Sequence, residues 1–237
     1  MNKKALTLLE LLVVIVIIGL LAGILFPLLG RTIEAGRRAQ CINNLRQHGI
    51  AWHLYLNDHN ELFPQWGLVP SQGGVNTPYD FGGKKGETGG PSYGAEYRVL
   101  NTYLDIYDES SPNINVLHCP DDATAWGIPP ATTFNKYGNS YYINDVMIPY
   151  GAGGNYRPRP LSTVTSSHSK VAMEVCYWMN YPGHGIKDQE GGRTPVFVLF
   201  LDWHVAGPFL YDQDFELHPP EPDKDVLFDA NGTPGPD

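Results

Sequence analysis

Three side chains late in the sequence, His184, Asp202 and His204, are of types that bind metals or transfer protons. The sequence around them has no His-Glu-x-x-His pair, no nucleophile elbow and no phosphate-binding glycine loop. His118 stands next to Cys119, but one such pair does not make a zinc site. The sequence therefore favours a protein that is not an enzyme, in which these residues fix hydrogen bonds at strand ends and in loops.

A second group of candidate ligands lies near the carboxyl end. Asp212, Asp214 and Glu216 alternate along the chain and could offer oxygen ligands to calcium. No glycine turn of the kind found in calcium-binding loops accompanies them. We therefore favour a solvated acidic loop and predict no metal and no cofactor.

The ionisable residue in the most unusual surroundings is Glu10. It stands at the head of an apolar run, residues 11–26, and Lys3 and Lys4 precede it. A helix of about twenty apolar residues spans a bilayer, where an ionisable group is costly and by default marks function. A cleaved secretory signal has a shorter apolar core, and a plain membrane anchor gives no reason for Glu10. The pattern predicts a membrane-crossing helix in which Glu10 has a task.

The stretch from Lys3 to Glu10, followed by the apolar run, resembles the type III signal of type IV pilins and type II secretion pseudopilins. The resemblance implies that prepilin peptidase cuts between Ala5 and Leu6 and methylates the new amino group of Leu6. Glu10 then becomes the fifth residue and pairs with that amine, its own or a neighbour's, inside a helix bundle. Ala5 and Leu6 depart from the family's usual Gly and Phe, but they keep the small and the apolar character of the two positions.

Pro27 lies late in the apolar run. An interior proline removes one helical hydrogen bond and kinks or locally melts a helix. Pilins carry a proline at a similar place, and the resemblance implies that it relaxes the helix in the assembled filament.

Beyond Pro27 the apolar spacing predicts that the helix resumes and ends near residues 57–60, before Pro64. A helix over residues 6–57 would be on the order of 75 Å long, far longer than a bilayer needs. Its outer half must therefore belong to a head domain. The predicted inner face of that half contains Ala35, Ala39, Ile42, Leu45, Gly49, Trp52 and Leu56, whereas Arg37, Arg38, Asn44, Gln47 and Asn57 are predicted to lie off it.

Three further segments resemble a large pilin-like family typical of planctomycetes and verrucomicrobia. They are residues 37–47, the Cys-Pro motif within residues 117–122, and a late strand, residues 198–205, that in the family reads Phe-x-Asp-Gly-His-Val. Here Trp203 stands in place of that glycine, and Gly192 stands where the family often has a histidine, with nine residues between it and Asp202.

The predicted fold class is α+β: a pilin-like lollipop, in which the outer half of a long helix packs on an antiparallel sheet with long loops. Strands are predicted at residues 115–118, 140–146, 170–178 and 194–205, the last two forming a hairpin. Residues 97–107 are predicted to form a short helix or strand. We divide the chain into a leader, residues 1–5, an assembly helix, residues 6–30, a head, residues 31–218, and an extended tail, residues 219–237.

The net charge of −9 argues against a nucleic-acid partner. Four arginines, Arg31, Arg37, Arg38 and Arg46, cluster just after the apolar run and are predicted to meet lipid headgroups or a neighbouring subunit. The three cysteines allow one disulfide with one thiol left over. Cys41 with Cys119 is the favoured pair, because Cys176 lies in an apolar strand pattern; three reduced, buried thiols are an equal alternative.

These features predict a pilin or pseudopilin that crosses the cytoplasmic membrane once, with its head outside, and then enters a periplasmic or surface filament. The partners that the resemblance implies are prepilin peptidase, identical or related subunits, the inner-membrane assembly platform and membrane lipid. The alternative is a membrane-tethered binding or hydrolytic domain that uses the signal only for export.

Overall fold

A computed structural model describes residues 8–66, 74–75, 79–87, 93–122, 132–144, 158–164, 167–176, 194–211 and 217–218. One helix, α1, occupies Leu8–Asp58 and is 51 residues long. Its outer half packs against an antiparallel sheet, as the α+β prediction required. The predicted leader and tail, residues 1–5 and 219–237, lie outside the described residues.

α1 ends where the sequence predicted. Asn60 and Glu61 directly follow it with positive φ angles of 55° and 59°. A left-handed backbone cannot continue a right-handed helix. The backbone N–H of Glu61 donates to the carbonyl of Leu56 at 2.7 Å, which satisfies one of the last helical acceptors.

The main sheet has five antiparallel strands in sequential order. The predicted hairpin is confirmed, because the strand at 172–175 pairs antiparallel with the strand at 194–200. The strands are β3 (Tyr142–Ile143), β4 (Ala172–Val175), β5 (Thr194–Phe200), β6 (Val205–Tyr211) and β7 (Leu217–His218), while β1 (Gln65–Trp66) and β2 (Gly74–Val75) form a separate parallel pair.

The single strand predicted over residues 194–205 is wrong. β5 ends at Phe200, the chain turns through Leu201 to His204, and β6 runs back beside β5. Trp203, in the turn, has φ 70°, which no strand residue adopts. The continuous apolar run hid this turn, because Phe200 at the end of β5 is buried, Val205 at the start of β6 is half-buried, and no Gly-Asn type of signal marks the reversal.

One short segment also differs from expectation. Residues 115–118 were predicted to be a strand, but Pro112–Leu117 forms a 3₁₀ helix that begins at a proline, a residue whose fixed φ suits a first helical turn. Residues 97–107 were predicted to form a short helix or strand, and they contain the short 3₁₀ helix Asn101–Leu104. Among the residues that the structure describes, the other helical elements are α2 (Thr133–Tyr137) and the 3₁₀ turns Ala95–Tyr97 and Leu161–Thr163.

The core lies between the outer half of α1 and the sheet. Cys41 is the first residue of α1 that is buried; of the described side chains between Leu8 and Gln40, none is. Ala35 and Ala39 were placed on the inner face but are exposed, whereas Asn44 was placed off it but is buried. The buried face of α1 is therefore rotated relative to the predicted one, so that it includes polar residues. Those residues have hydrogen-bond partners in the head. The buried face contains Cys41, Asn44, Leu45, His48, Gly49, Ala51, Trp52, Tyr55 and Leu56.

Asp122, the last residue of the Cys-Pro motif, fixes α2 beside the core. Its two carboxylate oxygens accept from the backbone N–H groups of Thr133 and Phe134 at 2.8 and 2.7 Å, and the hydroxyl of Ser140 donates at 2.6 Å. Carboxylates stabilise helix N-termini in this way because the first N–H groups have no helical acceptor. The motif's second Asp therefore has a structural task.

Arg98 holds several loop segments together from the inside. Its guanidinium donates to the carbonyls of Tyr79, Gly82, Lys84 and Tyr137 at 2.6–3.1 Å. Asp80 lies 3.7 Å away, and both side chains are fully buried. Burial lowers the pKa of Arg98 to about 10, although the Asp80 and Glu109 carboxylates act in the opposite direction. The guanidinium thus remains charged at neutral pH. Its hydrogen bonds to four carbonyls hold these loop segments together, as the backbone hydrogen bonds of a sheet would do between strands.

Candidate functional site

The inner half of α1 is an apolar surface that no other described part of the subunit covers. Its large apolar side chains between Leu8 and Leu29 are 43–84% exposed. The segment is long and apolar enough to cross a membrane, and none of that window is buried by the rest of the described chain. So much bare apolar surface is unstable in water, so a bilayer or other helices must cover it.

Glu10 lies in the first described turn of α1, with its side chain exposed. Acidic groups are favoured in the first turn because the helix dipole is positive there. Ala5 and Leu6, the predicted cleavage residues, lie outside the described residues. The geometry thus places the carboxylate at the membrane end of the helix, and its pairing with an amine stays a prediction.

Pro27 does not interrupt α1, whose helical assignment runs unbroken from Leu8 to Asp58. The local melting that we considered is therefore not seen in the subunit. A proline deletes its own helical N–H, while the neighbouring turns keep theirs. A role for Pro27 in relaxing the assembled helix stays a prediction.

The arginine cluster after the apolar run is partly used within the subunit. Arg38 pairs with Glu34 one turn before it at 2.9 Å, and Arg37 pairs with Asp121 of the Cys-Pro motif at 3.2 Å. Such exposed pairs contribute little stability. The Arg37 pair does join the helix to the lower edge of the head, so lipid or a neighbour is not the sole partner of this cluster.

A line of buried polar residues on α1 fastens the helix in the head. The Asn44 amide donates to the Tyr141 hydroxyl at 3.0 Å and to the His118 carbonyl at 3.2 Å. One turn later, His48 contacts the Glu174 carboxyl at 2.6 Å through Nδ1 and the Val116 carbonyl at 3.1 Å through Nε2. α1 is therefore held by directional hydrogen bonds as well as by apolar packing.

His48 and Glu174 share one proton. A carbonyl can only accept, so Nε2 of His48 carries the hydrogen that it donates to Val116. The short Nδ1–Oε1 contact needs a second hydrogen between the two groups, held by either of them. The pair is then neutral overall, which removes the large cost of burying a net charge.

Trp52 completes this arrangement. Its indole N–H donates to the other oxygen of Glu174 at 3.3 Å. The side chains of His48 and Glu174 are 0% exposed. In so enclosed a place, these hydrogen bonds position α1 in the head.

Sequence reasoning missed this cluster. The signal was a single glutamate in a strand of otherwise apolar residues, together with a histidine on the helix face four residues after Asn44. β4 is buried on both faces, so the carboxylate of Glu174 must find partners inside the core. Neither observation names the partner, because 126 residues separate His48 from Glu174.

Asp202 and His204, the acid and imidazole candidates for catalysis, belong to the turn between β5 and β6. The Asp202 carboxylate contacts Nδ1 of His204, and the His204 ring stacks on Phe200 at 4.4 Å between ring centres. Both side chains lie on the surface. His184 and the acidic group Asp212, Asp214 and Glu216 lie outside the described residues. Within the part of the chain that is described, no three His, Cys, Asp or Glu side chains are arranged to hold a metal ion.

Trp203 occupies the position where the late-strand motif has glycine. Its φ of 70° lies in the left-handed region, which glycine adopts without steric cost, and this explains a glycine at the position. A side chain with a Cβ pays about 1–2 kcal/mol in this left-handed conformation. The half-buried indole offsets part of this cost, since it packs edge-on against His53 of α1 with ring centres 6.1 Å apart.

We therefore expect Trp203→Gly to be more stable than Trp203→Ala by about 1 kcal/mol. Both variants lose the ring, and they differ only in the Cβ that the left-handed backbone disfavours. Urea unfolding of the full chain in detergent, followed by tryptophan fluorescence, measures the difference. Gln40, an exposed helical position, serves as the control, because there the Ala variant should be more stable than the Gly variant. If the Gly variant were the more stable one at both positions, backbone strain at Trp203 would not be the cause.

The family models that match the chain also separate its apolar N-terminal segment from the rest. Residues 1–26 match the family model described as "Prokaryotic N-terminal methylation motif", and residues 33–204 match the one described as "Protein of unknown function (DUF1559)". No curated protein and no solved structure matches the chain. The methylation motif indicates a pilin-like protein that prepilin peptidase processes, and the apolar helix indicates membrane anchoring before assembly. With well over half of its length matched, the chain belongs to the pilin-like DUF1559 family and opens with a prepilin-type N-terminal methylation signal.

Proposed function

We propose that this protein is a structural subunit, a pilin or pseudopilin, of a type IV pilus-like or type II secretion filament. The observation that supports the proposal is the contrast along α1: the described part of the subunit leaves the inner half uncovered, while the outer half is packed in the head. A helix built in this way can leave the bilayer only for another apolar environment. A bundle of the same helices from neighbouring subunits provides one.

Processing prepares the helix for that bundle. We propose that the cut falls between Ala5 and Leu6, which removes Lys3 and Lys4 from the segment that must pack. Leu6 and Glu10 are four residues apart, about one helical turn, so the new amine and the carboxylate can lie on the same face. Their pairing neutralises both charges inside the bundle.

The head faces the periplasm or the exterior in this proposal. The assembly platform, prepilin peptidase and related subunits are its partners, and membrane lipid surrounds the helix before assembly. The buried His48, Glu174 and Trp52 cluster makes the helix and head one body, so that a force on either is passed to the other. A domain that is merely tethered to a membrane needs no such coupling.

The experiment that tests the proposal is Ala5→Trp. Prepilin peptidase requires a small residue before the cut in the family that the signal resembles, so the variant should keep residues 1–5 and form no filaments. Mass spectrometry of the amino-terminal peptide reports processing, and electron microscopy of sheared cell-surface material reports assembly.

Ala5→Gly is the matched control, because it keeps a small residue at the same position. It should be cut and assembled like the unaltered chain. A chain with Trp at position 5 that loses its first five residues, or that enters filaments uncut, would overturn the proposal. Normal processing without filaments in the unaltered chain would favour a tethered domain that uses the signal only for export.

A further inference from the structure

The three cysteines, which are distant in sequence, meet at one place in the core. Cys41 belongs to α1, Cys119 follows the 3₁₀ helix Pro112–Leu117, and Cys176 directly follows β4. Their exposures are 0%, 4% and 5%. The structure holds all three as thiols. The reason for setting Cys176 aside, its place in an apolar strand pattern, therefore fails, because that strand delivers it to the other two.

Each thiol is in hydrogen-bonding contact with both of the others. The backbone N–H of Phe197 in β5 also donates to the sulfur of Cys176 at 3.2 Å. Burial raises the pKa of Cys41 well above its ordinary value. Burial acts in the same direction on Cys176, but hydrogen bonds with Cys119, Cys41 and the Phe197 N–H outweigh it and hold the pKa of Cys176 well below the ordinary value. Hydrogen bonds from its neighbours thus oppose the effect of burial at Cys176 and favour its thiolate form.

One polar neighbour of the three sulfurs is neutral. Tyr141 lies close to all three cysteines, and burial together with their proximity raises the pKa of its hydroxyl well above the ordinary value, so the phenol stays neutral. The Asn44 amide donates to that hydroxyl at 3.0 Å. This side of the site therefore contributes hydrogen-bonding groups without a charge.

We propose that Cys41, Cys119 and Cys176 form a three-thiol exchange site that holds one disulfide and one thiol, with any two of the three able to bond. The proposal rests on the proposed function in one respect: a head outside the cytoplasm folds where disulfides form and persist. It goes beyond the Cys41–Cys119 pair predicted from sequence, since no pair is fixed.

Oxidation requires an external disulfide, either of a thiol oxidoreductase or of a small molecule, and takes place during folding, before the core closes over the sulfurs. One cysteine thiolate attacks a sulfur of the oxidant and releases one of its thiols; a second cysteine thiolate attacks the mixed disulfide and releases the other. Two protein thiols lose two protons and two electrons, and the oxidant gains them as two thiols. The thiolate of Cys176 can then attack the sulfur of Cys41 in a Cys41–Cys119 bond, form Cys41–Cys176 and release the thiolate of Cys119, with no net oxidation.

The position of Cys41 determines what a disulfide at this site does to the fold. Cys41 is the first buried residue of α1, at the point where the helix enters the head. Either of its disulfides fastens the helix covalently at that entrance, beside the buried hydrogen bonds of Asn44 and His48. Exchange between them keeps the fastening when one partner sulfur is displaced.

The test uses the full chain in detergent, refolded from urea with oxidised and reduced glutathione. Acid quenching, denaturation and alkylation should modify one cysteine per chain before reduction and three after it. Peptide mapping of the acid-quenched chain should find more than one of the three disulfides. The oxidised chain should melt on the order of 10 °C above the reduced chain.

Single replacements decide whether the exchange is three-way. Cys41→Ala, Cys119→Ala and Cys176→Ala each leave two thiols in contact, so each variant should still form its remaining disulfide. If only one of the three variants does so, the protein has a dedicated pair and the proposal is wrong. Three modified cysteines in the unreduced unaltered chain, or a metal ion that protects all three, would also overturn it.

Peptide mapping of the unaltered chain keeps the test decisive if a variant fails to fold. The oxidant is supplied to purified protein, so failure of processing or of filament assembly leaves the result unaffected. Chains trapped by alkylation in living cells separate the two proposals. A protein that oxidises when purified but carries three thiols in the cell has a functional exchange site and a head on the reducing side of the membrane.

Discussion

Glu10→Ala is expected to abolish filaments while the chain remains in the membrane. The substitution deletes the carboxylate and leaves the apolar run longer and uninterrupted, so insertion is undisturbed. After processing, however, the amine of Leu6 must enter the helix bundle without its partner. An uncompensated buried charge costs about 3–5 kcal/mol.

That cost recurs at every subunit added. Because 1.4 kcal/mol corresponds to a tenfold change in an equilibrium constant, the subunit concentration needed for growth should rise by roughly a hundredfold or more. We therefore expect sheared-filament yields from the variant to fall below detection, while membrane fractions contain normal amounts of processed protein.

Glu34→Ala is the matched control for Glu10→Ala. Glu34 is the next glutamate along α1, lies outside the apolar run, and pairs with Arg38. The pair is partly buried on the helix surface, and a helical i,i+4 pair contributes about 0.3–0.5 kcal/mol, so assembly should be normal. Normal filaments from Glu10→Ala, or an equal loss from both variants, would contradict the proposed pairing.

Glu174→Leu is expected to lower the free energy of unfolding of the head by about 3–5 kcal/mol. The change removes the acceptor of the His48 proton and of the Trp52 indole N–H at once, and both donors stay buried. Urea unfolding of the full chain in detergent, measured by tryptophan fluorescence, gives the difference.

A second variant separates lost pairing from poor packing. His48→Leu combined with Glu174→Leu removes both buried partners, and such double replacements are often neutral or stabilising relative to the single one. The double variant should recover a large part of the free energy of unfolding that Glu174→Leu loses. The recovery should be incomplete, because the Trp52 indole N–H still has no acceptor. Glu96→Ala, on the surface of the head, should change stability by no more than about 0.5 kcal/mol. A double variant as unstable as the sum of the two singles would show that packing, not proton sharing, dominates.

The two substitutions probe opposite ends of one helix. Glu10 acts where α1 is bare and must find partners outside the subunit, whereas Glu174 acts on α1 where the head encloses it. The first should leave the folded head unaffected and stop assembly. The second should weaken the head without changing the cleavage signal, so processing should be normal in both variants.

The sequence by itself determined the long helix, its apolar inner half, its end near Asp58 and the α+β class. These follow from local composition and from spacing within one element, which periodicity reports directly. The position of Glu10 in the first turns of the helix was equally legible, because a charge in an apolar run is a local anomaly.

Only the tertiary structure decided which groups meet. Nothing in the order of residues says that His48 shares a proton with Glu174, that Asp122 caps α2, or that Cys176 joins Cys41 and Cys119. The first and the last of these contacts join elements that are distant in sequence, and they form because a polar group inside the core must find a partner there. The turn at Trp203 was hidden for the related reason that packing against His53 stabilises a conformation that the residue's own preference opposes.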